Sequence, residues 1–381
     1  MSILLDRTPR IVQGLGALDQ IGEAVRSLIQ GETIALLVAD PGLPAAVRGA
    51  AQAALEESGL FFAVYDDVRS DPKTSQADAA ARLARSIGAE VVVSLGGGSA
   101  MDVGKIVAAI THGAHDAGHY ALGAHVFPEK ALFNVCIPTT SGTGSEATRT
   151  AVLTDPDGIK IWLWGNGMKP DLIVLDPEVT TGLPPHLTAA TGVDALVHAI
   201  EACTNANANT LNAIYCHEAI RLVSRWLSRA VADPRDLEAR AGMQWAATLA
   251  GVGIDNCGTA IAHNIAHALA SLRPVHHGRA VGLAMMATLA WNIEDDDGRF
   301  SAVAEAMGVG PDARRLPETF ERLVRSVGLE VDLKGEGYDI APEALAEQMA
   351  RPENLPMRLS NHRPVEDSDL FAFADALLSQ R

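Results

Sequence analysis

The stretch Val91-Val92-Val93-Ser94-Leu95-Gly96-Gly97-Gly98-Ser99 decides the fold. A short, β-branched apolar run ends in a glycine turn, and a helical pattern opens at once over Ala100 to about Ile110. Strands that read as continuous apolar runs are buried on both faces, as in a parallel sheet. Working outward, the same alternation repeats. Ile34–Ala39, Phe61–Tyr65, Phe133–Ile137 and Leu172–Leu175 read as strands. Ala45–Ser58 and Gln76–Gly88 read as helices, the second with Gly88 as its stop. Beyond Pro184-Pro185 strand signals all but vanish, and Ala-rich helical patterns run to the C-terminus. The expected fold class is α/β plus all-α. A Rossmann-like parallel-sheet domain over residues 1–182 precedes an all-helical domain over 183–381.

Composition narrows the function. The 381 residues carry 30 Lys+Arg against 47 Asp+Glu, a formal charge of −17. No basic run is present, so nucleic acid and anionic membrane are poor partners. The start, Met1 to Arg7, lacks a basic region followed by an apolar stretch, so no signal peptide is read. The longest apolar candidate, Trp245 to Leu269, is broken by Asp255, Asn256, His263 and His267, and reads as a buried helical core. Cys136, Cys203, Cys216 and Cys257 form no CxxC and read as reduced thiols, which suggests a cytoplasmic protein.

The glycine loop is suited to a phosphate. Glycines allow close backbone approach, and the following helix N-terminus offers unpaired N–H groups and a favourable dipole. Asp40 follows the Ile34–Ala39 strand, where a carboxylate accepts from ribose hydroxyls and repels a 2′-phosphate. That favours NAD over NADP. Pro138-Thr139-Thr140-Ser141-Gly142-Thr143-Gly144-Ser145-Glu146-Ala147-Thr148 places a second dense run of donors at another strand end. Lys160 could add a positive charge.

A second constellation lies in the helical half. Asp194 and His198 are four residues apart and share a helix face, as do His263 and His267. His276-His277-Gly278 follows a break at Pro274. Burying these groups unpaired in apolar helices would be costly, and a divalent metal resolves that cost. Spacing alone leaves His267 and His276 in competition with His263 and His277.

Taken together, these motifs resemble the iron-containing (group III) alcohol dehydrogenases nearly end to end. Gly14-Leu15-Gly16-Ala17-Leu18 resembles an early glycine turn of that family, and Gly96 to Lys105 its GGGSxxDxxK loop. Pro138 to Glu146 resembles its PTTxGTGSE loop. Gly192 to Glu201 resembles its GxDAxxHxxE helix, and His263, His267 and His277-Gly278 its HxxxH…HG pattern. The resemblance implies metal ligation by Asp194, His198, His263 and His277, with Fe²⁺ as the ion and Zn²⁺ as the tighter-binding substitute. It implies a proton-relay or neighbouring role for His267. NAD(P) contacts are implied at Asp40, Gly97, Gly98, Ser99, Asp102, Thr139, Thr140, Thr143, Ser145, Thr148, Lys160 and Leu183. It further implies a small alcohol or aldehyde substrate and a homodimer or larger homo-oligomer.

Asp102 argues against the maleylacetate-reductase branch, and Asp194 against a dehydroquinate-synthase-like lyase, where glutamate is preferred. A glycerol-dehydrogenase-like enzyme is a further relative of the same fold. A metal hydrolase or a non-catalytic nucleotide-binding protein would leave either the glycine loop or the metal cluster without a purpose. Ile254-Asp255-Asn256-Cys257, Trp162 and Trp164, and Asn361-His362-Arg363-Pro364 depart from the family pattern, so the substrate is open.

Overall fold

The computed structural model describes residues 5–29, 31–129 and 131–381. The opening residues Met1–Leu4, part of the stretch read for a signal peptide, lie outside them. By contact density the chain forms two compact units. One comprises Arg7–Thr140 and Gly144–Leu183; the other comprises Pro184–Arg381 with Ser141–Thr143 and residues 5–6.

The first unit is built on strands β1 (Arg10–Gln13), β2 (Ile34–Ala39), β3 (Phe61–Tyr65), β4 (Val91–Gly96), β5 (Phe133–Pro138), β6 (Thr150–Thr154), β7 (Lys160–Trp164) and β8 (Leu172–Leu175). Six of them form one sheet in the order β1-β8-β5-β4-β2-β3, and every pairing in it is parallel. Helices α1 (Ile21–Arg26), α2 (Ala45–Glu57), α3 (Thr74–Ile87) and α4 (Gly98–Ile110) cover it. Alternate residues of β2 and β4 feed two separate cores. Ala35, Leu37, Val91, Val93 and Leu95 meet α1 and α2 through Ile21, Val25 and Leu55. Leu36, Val38 and Val92 meet α3 and α4 through Ala77, Ala81, Val103 and Ile106. This double burial is why the strands read as unbroken apolar runs. Gly88 closes α3 at φ +66°, a left-handed cap that glycine adopts without strain.

Three strands were not expected. β1 is a short edge strand paired with β8, Arg10 opposite Leu172. β6 and β7 form an antiparallel hairpin outside the main sheet, with Thr154 opposite Lys160. Its one-sided burial and its polar Thr and Lys residues hid it from a search for continuous apolar strands.

The second unit is helical among the described residues. It contains α5 (Pro185–Thr204), α6 (Thr210–Ala232), α7 (Leu237–Cys257), α8 (Ile261–Leu272), α9 (His277–Asn292), α10 (Arg299–Ala306), α11 (Leu316–Ser326), α12 (Pro342–Met349), α13 (Leu355–Leu359) and α14 (Asp367–Leu378). α5 is buried along nearly all of its length from Thr188 to Thr204, so it is the central helix of this unit. Such a helix is apolar all round, and a polar residue on it needs a specific partner.

Candidate metal and dinucleotide sites

Asp194 and His198 project from the buried centre of α5, His263 from the first turn of α8, and His277 from the first residue of α9. One donor atom from each of these four lies within 4.8 Å of the other three. Asp194 Oδ1 is 3.8 Å from His198 Nδ1, 3.8 Å from His263 Nε2 and 3.7 Å from His277 Nε2. Ligand pairs on one ion at about 2.1 Å stand roughly 3–4 Å apart, so this spacing suits a single small cation. Asp194 Oδ1, His198 Nδ1 and His263 Nε2 are buried and make no hydrogen bond. Three orphaned polar atoms aimed at one point would be costly without an ion between them. The three imidazoles and one carboxylate form a donor set that accepts Fe²⁺ or Zn²⁺.

Glu201 is a residue that sequence spacing left without a role. It lies on α5 beyond His198 and is buried. Its Oε2 is 2.6 Å from His263 Nδ1, and its carboxylate also accepts from the N–H groups of Ala260 and Ala262. A carboxylate behind a metal-facing imidazole fixes the tautomer and raises the ligand's basicity. Burial pushes the Glu201 carboxyl up to about 7, against the pull of the two backbone N–H groups and of His198. Burial, then the adjacent His198, pushes His263 down to about 3. His263 is therefore a neutral imidazole with its lone pair available to a metal.

The two competing histidines separate. His276 is exposed and caps the start of α9, outside the four-donor group. His267 is half-buried, with its ring centroid 5.4 Å from that of His277 and 6.4 Å from that of His263. It adjoins the cluster without joining it. Gly278 explains why α9 can start here. A Cβ on it would stand 2.2 Å from the Ala190 carbonyl oxygen and 3.1 Å from Asp194 Cβ. Only glycine brings His277 this close to α5.

In the sheet unit, three loops meet at the carboxyl ends of β2, β4 and β5. Neighbouring β2 and β4 send their helices to opposite faces, which makes this edge a topological switch point, the usual seat of a nucleotide. Asp40 donates its N–H to Leu95 O, and its Oδ1 accepts from Gly42 N at 2.8 Å. Gly97 precedes α4 in an extended conformation, so Gly98 and Ser99 open the helix. The Thr139 N–H donates to Gly96 O, and a Cβ on Gly97 would touch Thr140 at 3.3 Å. Leu183 closes this unit, its N–H bonded to Thr180 O.

Other residues of the expected dinucleotide set serve the loop itself. Asp102 accepts from Ser145 Oγ at 2.5 Å and from Val152 N at 2.9 Å, and pairs with Lys105 at 3.1 Å. Lys105 is fully buried and donates to Ser145 O, Thr148 Oγ1 and Thr150 O. This buried ammonium, unread in the sequence, ties α4 to residues 145–150. The Lys160 ammonium is held by Asp71 Oδ1 at 2.6 Å. Thr143 belongs by its contacts to the helical unit, where neighbouring Gly142 has room for no Cβ beside Thr191.

Known proteins resemble this chain in sequence and in fold. The family described as iron-containing alcohol dehydrogenase matches residues 8–177, and the C-terminal Fe-containing alcohol dehydrogenase family matches residues 188–373. The chain is 34% identical to a choline dehydrogenase of Bacillus subtilis (strain 168) over 91% of its own length and 85% of the relative's. It is 32% identical to long-chain-alcohol dehydrogenase 1 of Geobacillus thermodenitrificans (strain NG80-2), over 95% and 93%. Among solved structures, sulfoacetaldehyde reductase from Bifidobacterium kashiwanohense, in complex with NAD⁺, superposes with a TM-score of 0.89 at 29% identity, covering 100% of this chain and 99% of that one. With both halves matched, and an aspartate and three histidines converging where a metal is wanted, the chain belongs to the iron-containing alcohol dehydrogenase family.

Proposed function

We propose that this alcohol dehydrogenase interconverts a small primary alcohol and its aldehyde with NAD, using a divalent ion on Asp194, His198, His263 and His277. The observation that carries the reading is the convergence of these four donors, three of their polar atoms being buried without a hydrogen bond. When bound, the ion supplies Lewis acidity toward a substrate oxygen, and the dinucleotide supplies a hydride acceptor. Glu201 holds the proton on His263 Nδ1, so that Nε2 presents its lone pair. His267, beside His277, takes the hydroxyl proton onto an imidazole nitrogen and passes it to solvent. Asp40 accepts from the adenosine ribose, while the N-terminus of α4 at Gly98 and Ser99 faces the pyrophosphate. Thr139 and Thr140 add donors along the same ligand. The relatives named above act on choline, long-chain alcohols and sulfoacetaldehyde, and their common chemistry is a primary alcohol or the matching aldehyde.

A homodimer or larger homo-oligomer belongs to the same reading, as does a reducing, cytoplasmic setting, supported by four buried free cysteines. No described helix is long and apolar enough to cross a membrane. The test is a panel of primary alcohols with NAD⁺ and Fe²⁺- or Zn²⁺-loaded protein, read as NADH formed. His263→Ala should lose both bound metal and turnover, whereas His276→Ala should keep both. Silence across the alcohols, and no NADH consumed with aldehydes, overturns the proposal.

A further inference from the structure

Among the described residues, only Asp71 and Leu122 adopt a left-handed backbone without being glycine, at φ +54° and φ +53°. Both bear on the same strand, β7. Asp71 Oδ1 holds the Lys160 ammonium at 2.6 Å, at the first residue of that strand. Leu122 leads into Gly123, where a Cβ would stand 3.5 Å from the tip of the Trp162 ring. Backbone strain is thus concentrated beside one short stretch, Lys160 to Trp162.

Asp71 is doubly disfavoured where it sits. A left-handed backbone crowds its Cβ, and the ring of Pro72 favours an extended conformation in the residue before it. The carboxylate does not offset this by capping its own loop. Among the described residues it accepts from Lys160 and from no backbone N–H. The loop is pinned without it, because Thr154 N donates to Pro72 O at 2.8 Å and Lys73 pairs with Thr154 as a bridge. The Asp71 side chain is 59% exposed, and an ion pair open to water returns less than such strain costs. Strain that stability does not explain marks a placement that binding requires.

Lys160 stands where a ligand can use it. Ala151, Leu153, Ile161 and Leu163 enter the core beneath the hairpin, so Thr154, Lys160 and Trp162 lie half-buried on its other face. Val152, opposite Trp162, donates its N–H to Asp102, one turn into α4 from Gly98 and Ser99. The hairpin is therefore docked against the first turns of α4. An ammonium has donors to spare after Asp71 has taken one. We propose that Asp71 is a positioning residue for NAD: it fixes Lys160 so that the other N–H groups of the ammonium donate to oxygens of a dinucleotide at the start of α4. The proposal rests on the NAD reading above. Without Asp71 the ammonium swings on a long flexible stem, and ordering it on the ligand costs affinity.

The experiment measures the dissociation constant of NADH by its fluorescence on metal-loaded protein, alongside the melting temperature and kcat at saturating NAD⁺ on the best alcohol of the panel. Asp71→Gly removes the carboxylate and the strain together. It should melt within about 3 °C of wild type. Its kcat should stay within about two-fold, as expected where only ligand binding is weakened. It should nevertheless bind NADH about 10-fold more weakly, the worth of one charged hydrogen bond. Asp71→Asn tolerates the left-handed turn and loses only the charge, so it should shift the affinity in the same direction. In a Lys160→Met background, Asp71→Gly should add less than about two-fold, because the group it positions is gone. Wild-type affinity in Asp71→Gly, or an equal loss with and without Lys160, overturns the proposal and leaves the NAD reading standing. A wild type that binds no NADH overturns that reading, and this proposal with it.

Discussion

His263 Nδ1 lies 2.6 Å from Glu201 Oε2, a contact between residues 62 positions apart. Two backbone N–H groups hold the same carboxylate in place. Glu201→Gln keeps the shape but removes the charge that orients the imidazole. The expected result is a ~10–100-fold loss of metal affinity with the helical content intact. Competition against a chelator of known affinity measures it, and an unchanged dissociation constant would show that Glu201 does nothing for the metal.

Asp40 directly follows β2, its N–H bonded to Leu95 O just before the glycine loop. With a carboxylate there, a 2′-phosphate meets repulsion. Asp40→Gly should raise the ratio of kcat/KM for NADPH over NADH by about 10-fold or more, the worth of one charged hydrogen bond gained or lost. A ratio that stays put removes Asp40 from the dinucleotide site.

Lys105 is fully buried with four oxygen partners, Asp102 among them. Lys105→Met should cost about 3 kcal/mol or more, because Asp102 keeps a largely buried charge with no cation. Urea unfolding measures the loss. KM for NAD⁺ should rise in the same variant, since residues 145–150 lose their tether to α4. A stability within 1 kcal/mol of wild type would contradict this account.

Asp296 ties down the start of α10. Burial works to raise its carboxyl. Ser301 Oγ and the N–H groups of Phe300, Gly298 and Ser301 outweigh it and hold the group below its ordinary value of 3.8. A lowered carboxyl stabilises the fold fully above the ordinary value and loses that contribution as pH falls through the folded one. Asp296→Asn should therefore cost about 1 kcal/mol at pH 7, and the gap should narrow as pH approaches 3. Denaturant titrations of both proteins across that range test the sign; a gap that widens in acid refutes it.

Much of this was legible in the sequence because burial on both faces leaves a plain mark. β2 and β8 are unbroken runs of Val, Ile, Leu and Ala, and β4 adds to such a run only the small buried residues Ser94 and Gly96. β1 and the β6–β7 hairpin were not legible. An edge strand and a one-sided hairpin tolerate Arg, Gln, Thr and Lys, so their composition does not stand out. At the metal centre, helical spacing supplied the pairs but could not choose between His276 and His277. That choice rests on where α9 begins and on the contact of Gly278 with α5. Glu201 and Lys105 look like ordinary helical polar residues until partners about 40–60 positions away are folded against them.

The pairing of β1 with β8 has a consequence for how the protein is made. Arg10 to Gln13 find their partners only at Leu172 to Leu175. On the ribosome, the first strand must wait unpaired until nearly half the chain has been synthesised. Such long-range parallel pairing is slow and leaves a strand edge open to other chains in the meantime. Synthesis rate and chaperone supply, more than final stability, should then govern the yield of folded protein.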